Sequence, residues 1–95
     1  MYIVNKGGKR VSLRDKDSAT SIIYTLTILG CTEPFSTQHI VGNKEDGDTF
    51  LVDFCGKSVK AIGVEDAKTI LAWMLSLGCS KVTIEKLEVT DVEDK

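Results

Sequence analysis

The chain has 95 residues, 42% of them hydrophobic and 27% charged, with a formal net charge of −2. That composition belongs to one folded globular domain and argues against a disordered chain. The bulk charge suggests neither a nucleic-acid binder nor a polyanion mimic, and no apolar run approaches the roughly 18 residues that a membrane span needs.

The first segment, "YIVNKGGKRVSL", is two β-branched runs around Lys6-Gly7-Gly8-Lys9. Adjacent glycines accept positive φ, so the segment predicts a tight hairpin with strands near 2–6 and 9–14. A leader of the charged-then-apolar kind is not expected in a segment that reads as strand. The hairpin is basic. Lys6, Lys9, Arg10, Arg14 and Lys16 are opposed there only by Asp15, and Lys6, Lys9, Arg10 and Arg14 are the candidate anion contacts. Apart from Tyr2 no aromatic is interleaved, so a stacking platform for single strands is not expected, and nucleic acid is not the favoured partner. A solvated charged surface, neutralised by Glu85, Glu88, Asp91, Glu93 and Asp94, is the plainer reading.

A helix follows near 18–29, capped by Asp17 or Ser18. Ala19, Ile22, Ile23, Leu26 and Leu29 form its apolar stripe. Gly30 ends it in the left-handed conformation, and Cys31 leads toward a strand near 37–42. That strand carries His39, the chain's one histidine. The turn "NKEDGD" at 43–48 lacks the spaced carboxylates and terminal Glu of a calcium loop.

"FLVDFCGKSVKAIGV" repeats the hairpin plan, with strands near 49–55 and 57–63. Its "CGKS" is not a phosphate-binding loop, because Leu51 stands where that motif needs glycine and a β-like run follows. A second helix spans roughly 66–77, with Glu65 or Asp66 at its start. Its stripe is Ala67, Ile70, Leu71, Met74 and Leu77. The last strand, near 81–89, changes phase between Ile84 and Leu87, which predicts a bulge at Glu85–Lys86. Residues 90–95 read as a frayed acidic tail.

These elements recur. Sliding the chain along itself by 48 positions aligns residues 1–47 with 49–95 without a gap, and 12 of the 47 pairs are identical. Chance gives about 3. The doubled Leu-Gly-Cys at 29–31 and 77–79 is part of this match. The expected fold is therefore α+β: a tandem, pseudo-twofold repeat of a ββαβ unit in a single domain, with about six strands and both helices on one face.

Three cysteines at wide spacing, Cys31, Cys55 and Cys79, read as reduced thiols in a cytoplasmic protein. No metal-ligand spacing, catalytic residue or cofactor motif is evident, and a Cys–His pair would need folding to bring His39 to a thiol. The outer helix surfaces attract more notice. Thr20, Ser21, Tyr24, Thr25, Thr27 and Ile28 on one helix, and Lys68, Thr69, Ala72, Trp73, Leu75 and Ser76 on the other, include a single charge. Either the helices cover each other or a partner covers them. Trp73, Leu75, Tyr24 and Ile28 are the candidate interface, with Trp73 as the anchor of a homodimer or hetero-complex. The function so implied is a non-enzymatic binding or regulatory protein, such as an inhibitor, acting by protein–protein contact. The alternative is a small-ligand binder with a pocket between the repeats.

Overall fold

The computed structural model describes residues 1–40 and 48–87. The chain is α+β. Its elements run β1 (Tyr2–Lys6), β2 (Lys9–Leu13), α1 (Lys16–Ile28), β3 (Phe35–His39), β4 (Thr49–Phe54), β5 (Lys57–Ile62), α2 (Val64–Ser76) and β6 (Thr83–Leu87). All six strands form one antiparallel sheet in the order β3-β1-β2-β5-β4-β6. Both helices pack on one face of it. Their buried residues Ile22, Leu26, Ile70 and Met74 share a cluster with Val4, Val11, Val52 and Val59, which occupy one phase of the strands.

Each hairpin closes through two residues with positive φ. Gly7 and Gly8 lie at +55° and +87°, and Cys55 and Gly56 at +46° and +79°. Two such residues in succession give the mirror-image turn that matches strand twist. At the helix ends the Leu-Gly-Cys doublet acquires its reason. Gly30 and Gly78 adopt φ +76° and +103°. The Gly30 N–H donates to the Thr27 carbonyl (3.2 Å) and the Cys31 N–H to the Leu26 carbonyl (3.0 Å). The Gly78 and Cys79 N–H groups repeat this to Leu75 (3.2 Å) and Met74 (2.9 Å). Both ends are Schellman caps, in which glycine takes the left-handed position and the next residue folds back on the helix.

Several expectations change in detail. Both helices start two residues earlier than the pattern indicated. Asp15 caps α1, its Oδ1 accepting the Ser18 N–H at 2.8 Å; Asp17 and Ser18 already lie inside. α2 begins after Gly63 with no side-chain cap. Strand β3 starts at Phe35, directly after Pro34, because Phe35 packs on the core and draws the strand forward. The bulge expected at Glu85–Lys86 is absent: β4 and β6 pair without interruption from Asp53↔Thr83 to Thr49↔Leu87. Ile84 faces the helices and Leu87 faces away. The tail 90–95 and most of the 43–48 turn lie outside the described residues.

The middle of the sheet is its thinnest joint. β2 and β5 meet at one bridge, Leu13↔Ala61, with the Arg14 N–H donating to the Lys60 carbonyl at 2.9 Å. Beyond it, helix side chains take over the backbone amides. The Ser12 N–H donates to Asp66 Oδ2 on α2 (2.8 Å), and the Lys60 N–H to Ser18 Oγ on α1 (2.9 Å). A buried amide must find an acceptor, and here each helix's first turn supplies it. α1 packs on β1, β2 and β3 and also on β5, and α2 packs on β4, β5 and β6 and also on β2. Both cross the joint.

Candidate functional site

The β1–β2 turn and the side of α2 enclose a groove of about 440 Å³. Strand alternation creates it. Lys6 shares the phase of Tyr2 and Val4, so it points at the helices although it is charged. Its side chain is 7% exposed. The ammonium pairs with Glu33 and sits 5.5 Å from the centre of the Trp73 ring. A buried ammonium needs such a partner, and the indole face adds a second attraction. Lys9 and Lys68 flank the groove and carry no ion pair among the described residues. The Thr69 and Ser76 hydroxyls are committed to the carbonyls of Glu65 (3.0 Å) and Trp73 (2.9 Å). The groove thus offers two cationic groups beside an aromatic wall, with Glu65 at its edge. That set suits a small anionic or zwitterionic molecule.

At the other hairpin the same place is built differently. Cys55 and Cys79 form a disulfide with Cα atoms 6.0 Å apart. This corrects the expectation of three reduced thiols: folding brings two cysteines 24 residues apart together, which spacing alone does not show. With two of the three cysteines bonded, cysteine usage no longer points to a reducing compartment. Cys31 stays free, its Sγ 3.6 Å from the Glu33 carbonyl. Near this end Lys57 places its ammonium 4.9 Å from the Tyr24 ring centre. The "CGKS" stretch is a hairpin turn, with Lys57 opening β5.

No family model, curated protein or solved structure matches this chain.

The geometry therefore stands alone, and it redistributes the four residues expected at an interface. Trp73 is not on the outer surface: it is 6% exposed and part of the core. At about 100° per residue, Trp73 stands roughly 60° from Ile70 around the helix, and Leu71 stands roughly 100° away. The buried face turns toward Trp73. Tyr24, Ile28 and Leu75 are 55%, 59% and 49% exposed. Tyr24 and Ile28 lie one turn apart on α1. Leu75 is on α2, and no Cα of one helix lies within 8 Å of the other, so the helices do not cover each other.

The basic hairpin does not form one patch either. Lys6 is buried and paired. Lys9 reaches the groove, and Arg10 points to the opposite face. Arg14 donates from Nε to Thr49 Oγ1 at 2.7 Å. Glu85 lies on β6, at the far edge from β1. His39 stacks on Tyr2 with ring centres 4.2 Å apart. Glu33 had no role in the sequence reading, and Glu65 and Lys68 were placed only at a helix start and on an outer helix surface rather than at a groove. Lys6 on the phase of Val4 was the available signal that a carboxylate must come to meet it. Among the described residues no cluster of His, Cys, Asp or Glu could hold a metal ion, and no helix is long and apolar enough to cross a membrane.

Proposed function

We propose that this is a non-enzymatic binding protein that docks on a protein partner through the outer face of α1. The observation that carries this reading is the pair Tyr24 and Ile28. They are large, more than half exposed and one turn apart, on a helix whose only charges, Lys16 and Asp17, lie in its first turn. Anchors of this kind bury much area at low entropic cost. A role as regulator or inhibitor follows if the partner's activity depends on the contact. The test is parallel capture from the native cell with three baits: the unchanged protein, Tyr24→Ala/Ile28→Lys, and Arg10→Ala on the opposite face. A partner kept by the first and third baits and lost from the second supports the reading. Identical partners on all three reject it.

The groove supports a second reading, a small-ligand binder with its pocket at the junction of the two halves. Lys9, Lys68 and Trp73 favour an anionic molecule with an apolar part. Native mass spectrometry of protein from its own source should then show bound mass that Lys9→Glu/Lys68→Glu loses.

We also infer a single domain of two ββαβ units, residues 1–47 and 49–95, related by a pseudo-twofold axis. Four pairs of elements match at the 48-residue offset, α1 with α2 and β3 with β6 residue for residue. The bridge Leu13↔Ala61 joins equivalent positions, and the Ser12–Asp66 and Lys60–Ser18 hydrogen bonds are equivalent to each other. An engineered chain built from two copies of 49–95 should fold if the units are interchangeable; an unfolded product would count against the symmetry.

A further inference from the structure

β3 is an edge strand, and its outward backbone can be read from its pairing with β1. Met1 and Ile40 exchange hydrogen bonds in both directions (3.1 and 3.0 Å), and the Gly7 N–H donates to the Pro34 carbonyl at 3.1 Å. These pairs share the register that sets Ile3 against Gln38 and Asn5 against Ser36. In an antiparallel pair, hydrogen-bonded and non-bonded positions alternate. Residues 34, 36, 38 and 40 therefore turn their polar groups to β1. Phe35, Thr37 and His39 turn theirs to the open edge, where no described residue meets them.

Edge strands in soluble proteins are commonly blunted by charge, proline or a bulge. Phe35–His39 has no Lys, Arg, Asp or Glu, no proline within it, and an unbroken ladder to β1. Ser36, Thr37, Gln38 and His39 are all exposed. We infer that β3 is a self-pairing edge: a second copy of this chain adds to it antiparallel, centred on Thr37, and continues the sheet through a twofold axis.

The sequence of the strand fits its own reverse. Thr37 meets the copy's Thr37, and Phe35 meets the copy's His39. All three are outward-facing positions, so each pair exchanges both of its N–H···O bonds. Ser36 meets the copy's Gln38 at a non-bonded position, where side chains approach most closely and no like charges clash. The opposite edge lacks this fit. β6 paired with itself about its centre sets Glu85 against the copy's Glu85. A twofold contact at β3 uses the one free edge of that strand in each copy and closes the assembly at two chains.

The experiment is sedimentation of the full chain from low to high micromolar concentration, with far-UV circular dichroism and thermal melts as checks on folding. The unchanged protein should be a dimer. Thr37→Pro should be a folded monomer, because it deletes an N–H on the open side and none from the β1 ladder. Ser36→Lys/Gln38→Lys and Ser36→Glu/Gln38→Glu should each weaken the dimer about tenfold or more, and their equimolar mixture should restore it as a heterodimer. If Thr37→Pro does not fold, the charge variants decide alone, since both side chains are exposed. A protein that stays monomeric throughout overturns the inference. So does a dimer indifferent to these changes, which would place the contact elsewhere, or a ladder beyond the dimer, which would indicate β3-to-β6 pairing.

Discussion

Replacing Thr25 by valine should make this protein more stable. Thr25 is 2% exposed, and its Oγ1 has no hydrogen-bond partner among the described residues. Two other helix threonines show what it forgoes. Thr27 Oγ1 donates to the Ile23 carbonyl at 2.9 Å, and Thr69 Oγ1 to the Glu65 carbonyl at 3.0 Å. An unmade hydrogen bond on a buried hydroxyl costs about 1–3 kcal/mol. Valine keeps the β-branch and has nearly the same helix propensity, so little else changes. The expected gain is about 1–2 kcal/mol, or a Tm increase of roughly 5–10 °C for a chain of this size. Equilibrium urea unfolding measures it, with an unchanged m-value showing that the two end states are the same. Thr27→Val is the control: its hydroxyl is exposed and bonded, and the change should stay within about 0.5 kcal/mol of zero. A destabilised Thr25→Val, or equal effects at both sites, would mean that the Thr25 hydroxyl is satisfied and the reasoning fails.

Three further outcomes are expected. Opening the Cys55–Cys79 loop of 24 residues by a double change to alanine should cost about 3 kcal/mol in urea unfolding. Pairing Cys55→Gly with Cys79→Ala should recover about 1 kcal/mol of that, because Cys55 holds φ +46°. Glu33→Gln should destabilise by about 1 kcal/mol, since Lys6 stays buried and loses its charge partner while Glu33 is itself more than half exposed; urea titration at two ionic strengths should show the loss shrinking with salt. Asp15→Ala should cost about 1 kcal/mol by removing the α1 cap, read as a lower Tm with unchanged circular dichroism at room temperature.

What was legible in the sequence was whatever local chemistry decides. Gly7, Gly8 and Gly56 mark turns because few other residues accept positive φ. Gly30 and Gly78 mark helix ends for the same reason. What was not legible depends on long-range placement. The depth of Trp73 follows from how α2 lies on β2, β4, β5 and β6. The Cys55–Cys79 bond joins a turn to a helix end that only the fold brings together. Glu33 lies in a loop with no periodicity to flag it, and its role appears only once Lys6 is seen facing inward. The phase change after Ile84 suggested a bulge because the strand's apolar residues were assumed to share one face. Leu87 instead sits on the opposite face, at the sheet's edge.

The two amides at the central joint have a consequence for dynamics. Ser12 and Lys60 give their N–H groups to side chains at the start of α2 and α1, rather than to a neighbouring strand. Their protons exchange with solvent when a helix end lifts, whether or not the sheet opens. Ladder amides elsewhere in β1 and β4 are released only when strands part. Two resonances in an exchange experiment therefore separate undocking of the helices from unzipping of the sheet, one reporter for each helix, with no label added to the protein.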